Sequence, residues 1–152
     1  MLMNNINVRP GKEVDLPAIY ELVRELAIFE KEEAAFTIGI DEYRDQFRKD
    51  LFQVLVAQSE EEIVGMALFY PTFSTWKGKM MYLEDFVVAT KHRRKGVGQL
   101  LFDAFIETSK QQQCKLVKWQ VLDWNQSAID FYIKQDAIIE QEWYNGKILF
   151  EL

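Results

Sequence analysis

Two acidic residues, Glu84 and Asp85, interrupt the run MMYLEDFVV at 80–88, whose other members suit a strand. An ionisable pair in an apolar strand costs free energy unless it is satisfied or used. A glutamate so placed has the chemistry of a general base; the plain alternative is that Glu84 or Asp85 marks a bulge or pairs with a basic side chain. In a regular strand the two side chains would point to opposite faces, which argues against a paired acid–base arrangement. Just downstream come Lys91, His92, Arg93, Arg94 and Lys95, followed by Gly96-Val97-Gly98. Positive charge and glycines ahead of a helix make an anion site, with unpaired backbone N–H groups, the positive end of the helix dipole and close backbone approach. Tyr132 follows Asn125 in a short amphipathic stretch. A phenol with a pKa near ~10 can protonate a departing thiolate. Cys114, in QQQCK without a nearby histidine, reads as an ordinary thiol and not as a nucleophile. His92, the only histidine, receives no catalytic role.

The basic run does not match the common phosphate loops. There is no GxxxxGK[ST], and GxGxxG fails because Gly96-Val97-Gly98 continues as Gln99-Leu100-Leu101. What remains is Arg93-x-x-Gly96-x-Gly98. A solvated charge run is the plain alternative; the strand before it and the amphipathic helix after it argue for a ligand loop.

The elements that must position these residues follow from periodicity. NINVR (5–9) alternates as a strand ended by Pro10-Gly11. Asp15 is expected to cap a helix with Pro17 in its first turn, Leu16, Ile19, Tyr20, Val23, Leu26 and Ala27 sharing one face. A weaker helix is expected over 40–49. QVLVAQ (53–58) and IVGMALFY (63–70) read as strands around the solvated turn SEEE, and PTFSTWKGK as a loop. Leu100, Leu101, Ala104, Phe105 and Thr108 mark an amphipathic helix over 98–110. KLVKWQVL (115–122) is a strand, Asn125 caps a helix over 126–135, and AIIEQEW and KILFEL form a closing hairpin about Asn145-Gly146. The order predicts a mixed α/β (α+β) domain with one main sheet.

Composition bounds the rest. The chain has 152 residues, 49% of them apolar, and a formal net charge of -6, which suits one globular domain over 1–152. No apolar run reaches the roughly 18 residues of a membrane span, and MLMNNINVRP lacks the apolar segment of a secretory signal. One cysteine excludes an internal disulfide. A cytoplasmic location without membrane association is the expectation. A single histidine argues against a His-based metal site, so no metal is expected. The acidic balance argues against nucleic acid and favours cationic partners.

Arg93-x-x-Gly96-x-Gly98 resembles the pyrophosphate loop of GCN5-related N-acetyltransferases. LAIFEKEE (26–33), YLEDFVV (82–88), RRKGVG and WNQSAIDFY (124–132) occur in the order found in the spermidine/spermine and thialysine N-acetyltransferase branch. The resemblance covers almost the whole chain. It implies a mixed, mostly antiparallel sheet of six to seven strands flanked by about four helices. It also implies direct transfer of acetyl from acetyl-CoA to a primary amine of a small cationic substrate such as a polyamine, diamine or thialysine. By resemblance, Phe86, Val87 and Val88 would pair with the pantetheine arm. Arg93, Arg94, Lys95, Gly96, Val97 and Gly98 would hold the pyrophosphate, and Asn125 and Ser127 would contribute further along the cosubstrate. Glu84 would take the amine proton, Tyr132 would protonate the thiolate, and Phe29, Glu30, Glu84 and Trp119 would line the amine pocket. A homodimer is implied as well. Asp136 stands where the branch usually has glycine, and Phe29 where it has tyrosine. Other readings are a non-catalytic acyl-CoA-binding module and an acetyltransferase of peptides or other amines.

Overall fold

The computed structural model describes residues 5–151. They fall into two compact units, one ending at Gln120 and one starting at Val121.

In the first unit, strand β1 (Ile6–Pro10) leads into helix α1 (Leu16–Phe29) and helix α2 (Ile40–Arg48). Strands β2 (Gln53–Ser59), β3 (Glu62–Ser74) and β4 (Gly78–Val88) form consecutive hairpins, followed by helix α3 (Val97–Gln111) and strand β5 (Leu116–Trp119). The sheet order is β1-β2-β3-β4-β5. Pairing is antiparallel through β4, and β5 joins β4 in parallel. On one face Leu16, Ile19, Leu22 and Tyr43 pack on Val54, Val56, Met66, Leu68 and Val87. The other face takes α3. Phe105 meets Phe69 at 5.1 Å between ring centroids, and Leu101 lies so close to Gly65 that a β-carbon there would sit 3.0 Å from it.

Several expectations are corrected. Asp15 does not cap α1 with its side chain. Its buried carboxylate accepts two bonds from Arg9, at 2.8 and 3.0 Å, and one from the Lys12 N–H, so it clamps the turn before the helix. Arg9 and that backbone bond hold the Asp15 carboxyl below the usual range. Residues 71–79 are not a loop: β3 runs to Ser74 and β4 resumes at Gly78, with a tight turn between. The buried face of α3 is Val97, Leu101, Phe102, Phe105 and Ser109, rotated by about a residue from the expected stripe. Among the described residues the sheet has five strands, where six to seven were expected.

The second unit holds helix α4 (Gln126–Lys134). Asn125 caps it as expected, its side-chain oxygen accepting the Ala128 N–H at 3.3 Å. Asp136 has φ 59, the left-handed region that the glycine of related sequences supplies and that aspartate tolerates better than most residues. The closing hairpin about Asn145-Gly146 is not formed; residues 137–151 carry no strand. An isolated two-stranded ribbon is marginal without a third strand or a packed face. Ile138, Trp143, Tyr144, Ile148, Leu149 and Phe150 are instead 76–101% exposed.

Candidate active site

The β3–β4 ladder breaks register where the acidic pair lies. Leu68 pairs with Asp85 and Phe69 with Leu83, so Glu84 is the extra residue of a bulge. A bulge sets two residues opposite one and lets both turn to one side. Asp85 is opposite Leu68, which packs on the α1–α2 face. Glu84 reaches that face too, because the hydroxyl of Tyr70, two residues beyond Leu68, donates to its Oε2 at 2.8 Å. The expectation of opposite faces is therefore overturned: the bulge makes Glu84 and Asp85 neighbours. The Tyr70 ring stacks on Tyr82 at 5.6 Å between centroids, with the planes 28° apart.

The cluster is electrostatically loaded. Burial, then Glu84, then Glu30, push the Asp85 carboxyl up to about 7. Burial and Glu32 raise Glu30. Tyr43, from α2, is raised by burial and then by Asp85, Tyr20 and Glu84. Tyr82 is raised by burial and Glu84. Three carboxyl groups surrounded by phenols thus form one negative site that retains a proton near neutrality. Such a site favours an alkylammonium, through charge and through aromatic faces.

β4 joins this site to the glycine loop. β5 pairs with β4 only over Met80–Leu83. Beyond Leu83, β4 has no second strand neighbour among the described residues. The Ala89 N–H donates to Val64, so alternation directs the backbone groups of Phe86 and Val88 away from β3 and those of Val87 toward it. The backbone of Phe86 and the N–H of Val88 therefore face outward, where an extended ligand would lie, while the Val88 carbonyl accepts from Arg93.

The chain then makes a short 3-10 turn over Thr90–His92. Arg94 has φ 61 and Gly96 φ 83. Gly96 caps α3, and Leu100 donates the first helical bond back to it. The N–H groups of Val97 and Gly98 thus have no acceptor within the helix, the arrangement that binds anions. The basic run divides its work. Lys91 pairs with Glu62 at 3.1 Å. His92 Nε2 is buried without a hydrogen bond, 3.8 Å from the same carboxylate. The Thr90 N–H and hydroxyl both donate to Glu25 of α1. These contacts anchor the loop. Arg93 Nε donates to Val88 O at 2.9 Å, and its guanidinium lies 5.5 Å from the centroid of Phe29. Arg94 and Lys95 are exposed.

Of the residues expected in the amine pocket, Glu30 and Glu84 act on Asp85 by charge, and Phe29 lies under the Arg93 guanidinium. Trp119 does not: it pairs with Leu83 and packs edge-on against Phe102 of α3 at 5.7 Å, on the sheet face opposite Glu84 and Asp85. In the second unit, Tyr132 is buried on α4 and Ser127 is exposed on its first turn. Asp85, Tyr70 and Tyr43 escaped the sequence reading as site residues. Tyr70 had a signal, since carrying the strands through 71–79 places it opposite Tyr82.

An open β4 edge ending in a glycine loop at a helix N-terminus defines a class of protein. The acetyltransferase (GNAT) family model matches residues 16–136, and the chain belongs to that family. It is an acetyltransferase of the thialysine and spermidine/spermine branch. Thialysine N-epsilon-acetyltransferase of Bos taurus is 34% identical over 97% of this chain and 96% of its own length. Spermidine/spermine N(1)-acetyltransferase-like protein 1 of Homo sapiens is 30% identical over 93% of this chain, which spans only 22% of that protein. Among solved structures, an aminoglycoside acetyltransferase from an uncultured soil metagenomic sample, in complex with sisomicin, superposes with TM-score 0.80 at 20% identity, covering 96% of this chain and 97% of that one. That likeness establishes the fold.

Proposed function

We propose that the protein moves acetyl from acetyl-CoA directly to a primary amine of a small cationic substrate, thialysine or a polyamine-like diamine. The observation that carries this reading is the bulged Glu84–Asp85 pair beside Glu30. It is a negative, aromatic-walled site next to a strand edge suited to pantetheine. The Bos taurus relative, matched along nearly its whole length, supports the thialysine-like acceptor. The family match runs from 16 to 136, across both compact units, and supports their acting as one domain. A homodimer in the cytoplasm completes the reading.

Acetyl-CoA supplies the activated acetyl thioester. The backbone of Phe86 and the N–H of Val88 face outward for its extended arm. Arg94, Lys95, Gly96, Val97 and Gly98 offer charge and N–H groups to its phosphates; Arg93 braces the loop through Val88 and adds its own charge. Asn125 and Ser127 are assigned to the same cosubstrate. Glu30 and Asp85 hold the substrate cation. An alkylammonium with pKa near ~10 cannot attack, so Glu84 accepts its proton, directly or through water. Tyr132 returns a proton to the departing thiolate.

Thiol release from acetyl-CoA, measured against thialysine, lysine, spermidine, spermine and short diamines, tests the acceptor. With an aromatic amine that is uncharged at neutral pH added to the panel, turnover of thialysine or a diamine above that of the uncharged amine is expected; equal rates for the two kinds would remove the cation-selective reading. Tyr132→Phe is expected to lower kcat by about 100-fold or more while KM for acetyl-CoA stays within twofold. Wild-type kcat in that variant would reassign the acid.

A further inference from the structure

We infer that Tyr70 is the positioning residue of the general base, a role that rests on the assignment of Glu84 above. Glu84 is exposed and sits at the extra position of a bulge. Neither a regular ladder nor a packed core holds its side chain. Left to itself, a surface glutamate samples many rotamers, and ordering it is unfavourable. A base must meet its proton within hydrogen-bond reach. Among the described residues, the one hydrogen bond its carboxylate makes is the 2.8 Å bond from Tyr70. Tyr70 can deliver that bond because its own ring is fixed: it lies in register with Tyr82 and stacks on it. The bond occupies Oε2 and leaves Oε1 for the amine or a bridging water. Burial and Glu84 raise the phenol of Tyr70, so it remains a donor throughout the working pH range.

The other groups around Glu84 do not duplicate this contact. Glu84 and Glu30 act by charge on Asp85, and Glu84 acts by charge on Tyr82 and Tyr43. Of these neighbours, Tyr70 is the one that donates a hydrogen bond to the Glu84 carboxylate.

The experiment is Tyr70→Phe, which keeps the ring and its stack and removes the donor. Side-chain carbon NMR of the glutamates follows Glu84 without any substrate; its resonance is assigned with Glu84→Gln. The expected result is a Glu84 side-chain resonance that moves toward the position of a freely rotating glutamate, as the fixed contact is lost. kcat for the best amine should fall about 10-fold, with KM for acetyl-CoA unchanged. Tyr82→Phe, which keeps both the stack and the Tyr70 hydroxyl, should leave the resonance where it is. An unchanged Glu84 resonance in Tyr70→Phe overturns the inference. If Glu84→Gln is inactive and Tyr70→Phe has wild-type kcat, the positioning role alone falls. Should Glu84→Gln retain full activity, the base assignment falls, and the role of Tyr70 with it.

Discussion

Asp85 shows how far one side chain departs from what its neighbours in sequence suggest. Its carboxyl, raised to about 7 mainly by burial, also feels Glu84 and Glu30. The stability consequence has a definite sign. From pH ~4 to ~7 the folded chain binds the Asp85 proton more than the unfolded chain does, so stability falls as pH rises through that window and is level above it. Full expression of the shift is on the order of 4 kcal/mol, and partial solvent contact reduces it. Asp85→Asn removes the charge and keeps the shape. Thermal melts are expected to place this variant several degrees above wild type at pH 8, with the gap closing toward pH 4. A gap independent of pH would refute the buried-proton account. The amine should bind more weakly to the variant at pH 8, because a negative charge is lost.

At the scale of elements, hydrophobic period and turn residues located each β-strand and α-helix described in the first unit, but not its 3-10 turns or the strand ends over 71–79. They left the acidic pair open between a base and a bulge, because one extra residue in β4 leaves the composition of the strand unchanged while turning Glu84 and Asp85 to a common face. The glycine loop was legible because its physics is local: a left-handed turn at Gly96, then a helix N-terminus. Trp119 was misplaced because which face a short strand presents depends on its partner's register. The packing of α3 on β3 gives a prediction at this scale. A β-carbon on Gly65 would stand 3.0 Å from Leu101 Cδ1 and 3.1 Å from the Val87 carbonyl oxygen. The second neighbour is backbone and cannot swing aside. Gly65→Ala is therefore expected to cost about 1–3 kcal/mol, measured by urea unfolding. Because Leu101 lies one turn into the helix that begins the phosphate loop, KM for acetyl-CoA should rise as well. A neutral substitution would show that α3 rides on the sheet without a fixed seat.

Across the whole molecule, the segment 137–151 is where sequence and structure part most clearly. Its alternation and its Asn145-Gly146 turn predict strands, yet a protomer by itself leaves the segment without a ladder. Strand propensity is realised only where a sheet or a packed face receives it. Three aromatic and three aliphatic side chains, Trp143, Tyr144, Phe150, Ile138, Ile148 and Leu149, stay exposed. Together they present on the order of 1,000 Å² of apolar surface, against the roughly 800 Å² that each partner buries in a stable interface. Exposed apolar side chains in such number suit association, and the proposed homodimer supplies a second copy of the same chain to cover them. Sedimentation velocity of the full chain at micromolar concentration is expected to give a dimer. Replacing Trp143, Ile148 and Phe150 together with glutamate should give a monomer whose helical circular dichroism is retained, since none of the three lies in a helix or strand. A dimer that survives these substitutions would place the interface elsewhere, and a wild-type monomer would remove the homodimer.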